Sequence, residues 1–197
     1  DSAGEYRGLV KYDGNSFIEI DSINSLIKTS SISELLRDYS GNIWLLSRNY
    51  VFKQNGNSWV LVDSLIQNSP GYTKIAVDAG GDLWTLNFNP FKVSKLTNNG
   101  WEYFDSTGVG LDSMSGGYGT LYADPLGSIW VRGQTRANKR FLSKFDGTNW
   151  TTYDAVSSPA VRDFISAMST SPNGHTWFST LNGLYEFDGV TWSYYNS

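Results

Sequence analysis

The chain has 197 residues, 40% of them hydrophobic, 15% aromatic and 17% charged, a composition that belongs to a folded domain and excludes a disordered segment. A formal charge of −4 argues against nucleic acid as a partner, and the absence of a long apolar run argues against membrane insertion by this segment. With zero cysteines there are neither disulfides nor thiolate metal centres.

Read from the N-terminus, Asp1-Ser2-Ala3-Gly4 opens the chain without an initiator methionine or signal peptide, which suggests a processed or excised segment. Gly8-Leu9 and then Asp13-Gly14 before Phe17 follow; Asp-Gly is a two-residue hairpin signal, so residues 1–21 are expected to form only the outer strands of a unit. From residue 31 the pattern is complete. Leu35 precedes Asp38-Tyr39-Ser40-Gly41-Asn42-Ile43-Trp44, and Asn55-Gly56 precedes Trp59, giving a unit over 31–63. Over 72–105 the same order runs Ile75, Asp78, Gly81, Trp84, Asn99-Gly100 and Trp101. Over 119–154 it runs Leu121, Asp124, Gly127, Trp130, Asp146-Gly147 and Trp150. Over 164–197 it runs Met168, Ser171, Gly174, Trp177, Asp188-Gly189 and Trp192. The leading tryptophans stand 40, 46 and 47 residues apart.

Each feature has a physical reason. The large apolar residue before the turn suits an innermost strand with both faces covered. In Asp-x-x-Gly the carboxylate can bond nearby amides while glycine accepts a positive φ. The tryptophan of the next strand fills the layer between neighbouring units. Strand, turn, strand, loop, strand, hairpin, strand makes four antiparallel strands per repeat, and such repeats stack because none buries both faces alone. The expected fold is all-β: a β-propeller of about five four-stranded blades with the first incomplete. An open edge invites pairing, so the ring is expected to be completed by a longer chain or by oligomerisation.

These motifs resemble the two-component regulator propeller repeat, most closely in Gly174-His175-Thr176-Trp177 through Gly183-Leu184, Phe187-Asp188-Gly189 and Trp192. Two departures stand out. The Gly-Thr after the first tryptophan is missing from every copy, and Gly-Leu survives only at Gly8-Leu9 and Gly183-Leu184. The resemblance implies a periplasmic or extracellular bacterial protein, either a sensor region of a hybrid histidine kinase or a stand-alone exported propeller. It also implies a link to carbohydrate.

Residues that break the repeat are the ones expected to bind, because function concentrates in loops on a rigid scaffold. In a four-stranded blade the second-to-third-strand loop and the link to the next blade share one rim. That rim is expected to carry Arg48, Asn49 and Tyr50; then Asn87, Phe88 and Asn89; then Arg132, Gln134, Arg136 and Arg140; and Tyr118 and Asn182. Planar amides, guanidiniums and aromatics suit a polar or sugar-like ligand. The turn aspartates are read as backbone caps spread around the ring, the eight tryptophans as packing, and the single His175 as a turn residue. No cofactor or metal, no nucleophile and no catalytic residue is expected. The reading is a non-catalytic ligand- or protein-binding propeller with a carbohydrate or protein partner on the variable-loop face. Two alternatives are a structural component of a bacterial surface or secretion assembly and a propeller lyase resembling virginiamycin B lyase.

Overall fold

Five antiparallel sheets make up the computed structural model, which describes residues 9–20, 27, 32–47, 50–64, 74–88, 91–105, 109, 119–134 and 139–196. The chain forms two compact units, Asp1–Asn68 and Ser69–Ser197. The first unit holds a two-stranded sheet, β1 (Leu9–Tyr12) and β2 (Phe17–Ile20). It also holds a four-stranded meander of β3 (Ile32–Arg37), β4 (Ile43–Ser47), β5 (Tyr50–Asn55) and β6 (Ser58–Ser64). The second unit holds three such meanders. The first is β7 (Lys74–Val77), β8 (Leu83–Phe88), β9 (Phe91–Thr97) and β10 (Gly100–Asp105). The next is β11 (Thr120–Ala123), β12 (Ile129–Gln134), β13 (Arg140–Phe145) and β14 (Trp150–Tyr153). The last is β15 (Ile165–Thr170), β16 (Thr176–Thr180), β17 (Leu184–Phe187) and β18 (Trp192–Tyr195).

Turn chemistry explains why each strand stops where it does. Gly41, Gly81, Gly127 and Gly174 take φ values of 88°, 90°, 92° and 90°, and each donates its amide to the carbonyl three residues earlier. Gly183 is required for a second reason: a Cβ there would lie 2.7 Å from the Tyr195 carbonyl and from the Tyr194 ring. The Asp-Gly hairpins are tied by their carboxylates. Asp188 accepts from the amides of Val190 (2.8 Å) and Thr191 (2.7 Å) and from the Thr191 hydroxyl (2.7 Å). These bonds, the Thr191 amide foremost, hold its carboxyl down to about 2. A carboxyl so depressed supports its hairpin above the ordinary value of 3.8 and gives up that support as the pH falls through about 2. An NMR titration of Asp188 is expected to show a midpoint near 2; a midpoint near 3.8 would mean that these bonds do not persist in solution.

A more extensive device repeats three times at the Asp-x-x-Gly turns. Asp38, Asp78 and Asp124 each bond two following backbone amides with one oxygen. The other oxygen accepts the indole N–H of Trp44, Trp84 and Trp130 at 2.8, 2.9 and 3.1 Å. Directly across the sheet from each indole stands a lysine, Lys53, Lys95 or Lys144. Its ammonium lies over the ring at 4.9, 5.3 and 5.1 Å from the centroid. Burial alone would raise the Asp38 carboxyl, but the Trp44 and Asn42 bonds outweigh it and hold it below its ordinary value. These aspartates therefore lock the tryptophans as well as capping turns.

The last sheet departs from this device at both ends. Ser171 replaces the aspartate and bonds the His175 carbonyl, while Glu186 replaces the lysine opposite Trp177. Glu186 takes the Tyr195 hydroxyl at 2.7 Å and His175 Nδ1 at 2.5 Å. The Tyr195 bond first, then His175, keeps the Glu186 carboxyl below its ordinary value.

The cores lie between sheets and beneath links. Within the second unit Trp84 packs on Phe104 and on Phe145 of the following sheet, and Trp130 packs on Phe178 and Phe187 of the sheet after that. In the first unit Ile27, Leu45, Phe52 and Trp59 form the core, with Leu9 and Ile20 against it. One expectation needs correction. Leu35 is 51% exposed, because the alternation of β3 places it on the open face, whereas its counterparts Ile75 and Leu121 are buried. Phe17 follows Asp13-Gly14 at the spacing by which Trp59 follows Asn55-Gly56, yet it is 76% exposed, and Leu9 and Ile20 are the residues of that hairpin packed against the core.

Candidate functional site

The sheet β11–β14 and the segment entering β15 meet at one small, open cleft. Three of the sequence-predicted residues line it: Arg132 and Gln134 near the end of β12, and Arg140 at the start of β13. Register explains their convergence. Gln134 pairs with Arg140, so the hairpin brings both ends of the strands to one edge, and Arg132 lies two residues from Trp130 on the face that meets the last sheet.

The opposite wall comes from residues that the repeat pattern does not contain. A short helix, α1 (Pro159–Arg162), starts with proline after Ser158 and leads into Asp163, Phe164 and Ile165. Arg132 Nη1 donates to the Ile165 carbonyl, and Arg140 Nη1 donates to the Arg162 carbonyl at 2.7 Å. The Arg132 guanidinium also lies 4.2 Å from the Phe164 ring centroid, and Phe164 remains 37% exposed. Burial first, and Arg140 second, push the Arg132 guanidinium below its ordinary value. Its Nε is buried and has no hydrogen-bond partner.

Asp163 lines the same cleft, but its carboxylate is engaged. It accepts from Asn182 Nδ2 at 2.6 Å, from the Tyr185 hydroxyl at 3.1 Å and from the Thr180 hydroxyl at 3.5 Å. Asn182, predicted as a contact residue, is thus placed beside the cleft as an anchor of Asp163. Burial first, then Asp163, raises the Tyr185 phenol.

Of the remaining predicted positions, Tyr50 and Asn87 are described and neither is among the residues lining this cleft. Tyr50 is exposed at the start of β5, in the other unit. Asn87 is 3% exposed, a buried strand residue and not a rim contact, because β8 continues through it to Phe88 before turning. Arg48, Asn49, Asn89, Arg136 and Tyr118, and the side chain of Phe88, lie outside the described residues. Asp163 and Phe164 were missed as individual residues; their signal was Ser158-Pro159 in a link that the repeat does not explain.

No protein-family model matches the sequence, and no curated protein matches it. Solved structures do. A streptogramin B lyase superposes with a TM-score of 0.67 at 17% identity, covering 93% of this chain and 59% of that one. Virginiamycin B lyase from Staphylococcus aureus gives 0.65 at 14% identity, with 92% and 59% covered. The fold is a β-propeller. The extracellular domain of a putative hybrid two-component system from B. thetaiotaomicron gives 0.54 at 18% identity, covering 86% of this chain and 24% of that one. The chain therefore spans about 59% of the length of the lyases that it resembles. Among the described residues no helix is long and apolar enough to cross a membrane.

Proposed function

We propose that this propeller is a non-catalytic binding module of an exported protein, with a carbohydrate or protein partner on the loop face that carries Arg132, Gln134 and Arg140. The observation that supports this most is the cleft itself: two backbone-anchored guanidiniums, an exposed phenylalanine and an engaged carboxylate gathered where the loops of two adjacent blades meet. Propellers with a similar fold include the extracellular domain of a putative two-component system, which suits a sensing role, and YCF48 bound to a D1 peptide, which suits a protein partner.

A lyase is the second reading, favoured by the two lyase neighbours. Against it, the only histidine of the chain, His175, lies outside the cleft lining and its Nδ1 is occupied by Glu186. Glycan-array screening followed by calorimetric titration tests the binding reading. Binding that is lost on Phe164→Ala supports it. Failure to bind any glycan or partner protein, or turnover of a streptogramin, would overturn it.

A further inference from the structure

We infer that the cleft is a carboxylate-binding site, with the anion seated between the Arg132 and Arg140 guanidiniums against Phe164. This deepens the binding reading above and rests on it. Both guanidiniums are held by a backbone carbonyl through Nη1, which orients them before any ligand arrives. Their remaining donors have no carboxylate partner among the described residues, since Asp163 is taken up by Asn182, Tyr185 and Thr180. Among the described residues the buried Arg132 Nε has no acceptor, and an unsatisfied buried donor is costly.

Charge narrows the class further. Among the described residues that line the cleft, two guanidiniums against the one Asp163 carboxylate leave a single positive charge, which suits a monoanion better than a doubly charged phosphate. Phe164 supplies an apolar wall, and the small size of the cleft limits the part of the occupant that it encloses to a compact group. The ligand is therefore a carboxylate on a small polar body, such as an acidic sugar or the free end of a peptide.

Amide NMR titrations of the whole chain with galacturonic acid, galactose, a short peptide with a free C-terminus and the same peptide amidated would test this. The acids are expected to shift the amides of Gly133 and Phe164, and each neutral counterpart to bind at least about tenfold more weakly. Whichever acid binds more tightly identifies the source of the carboxylate. Arg140→Gln, at an exposed strand start, is expected to weaken the acid by about tenfold while leaving the circular dichroism spectrum unchanged. Equal binding of acid and neutral forms, tighter binding of inorganic phosphate, or no shift at the cleft with millimolar acids would each overturn the inference. A glycan or protein bound without its carboxylate would overturn it too, yet leave the broader binding reading standing.

Discussion

Asp124→Ala is expected to lower stability by about 3–5 kcal/mol, among the largest losses from any single side chain in this protein. Asp124 is only 2% exposed, and its carboxylate serves the amides of Leu126 and Ser128 and the indole of Trp130. Truncation leaves three donors without their acceptor in a place where water has little access, and the cost of such orphaned donors exceeds what the bonds contribute while intact. Asn at this position either keeps its oxygen for the two amides and turns an NH₂ toward the indole, or serves the indole and loses both amide bonds, so its cost should fall in between. The comparison with Ser171→Ala is the sharper test. Ser171 holds the same turn position but receives no indole, and its removal is expected to cost under about 1 kcal/mol. Urea denaturation followed by fluorescence and far-UV circular dichroism measures both. Equal losses at the two positions would show that the indole bond contributes nothing.

Trp130→Ala should cost about as much, 3–5 kcal/mol by the usual scale for large buried aromatics. The indole is fully buried and packs on Tyr153, Phe178 and Phe187, with Lys144 over its face. Those partners come from two adjacent sheets, so the cavity would open between blades, where neither sheet can close it without shifting against the other. Because the indole also satisfies Asp124, the two losses should not add: the double variant is expected to fall short of the sum by about 1 kcal/mol or more. Additive losses would separate the packing role of the tryptophan from its bond to the aspartate. Trp177→Ala, at a half-exposed tryptophan with neither aspartate nor lysine, is expected to cost clearly less.

The repeat explains why so much was legible in advance. Asp-x-x-Gly, the paired tryptophans and the Asp-Gly or Asn-Gly hairpins are short-range signals, each confined to about a turn of chain, and their recurrence set the strand count and meander order before any coordinates. The hairpin of β1 and β2 and the four four-stranded sheets follow from these local signals alone. The predicted rim was legible only in part. Arg132, Gln134 and Arg140 could be placed by strand order, but Asn87 lay one strand position too deep and is buried.

What tertiary structure alone decided is which residues face one another across gaps of variable length. Lys53, Lys95 and Lys144 come 9, 11 and 14 residues after their tryptophans, because the loops between them differ, so no fixed spacing reveals that each ammonium covers an indole. The same holds for the replacement by Glu186 opposite Trp177. Asp163, Phe164 and the carbonyls of Arg162 and Ile165 meet the arginines of the preceding blade from 20 to 30 or more residues away, through a link outside the repeat. The sequence by itself determined the blades, since a blade is made of local turns and period-two strands. The cleft is a product of how one blade docks against the next, and that depends on pairings and side-chain packing that only the folded chain brings together.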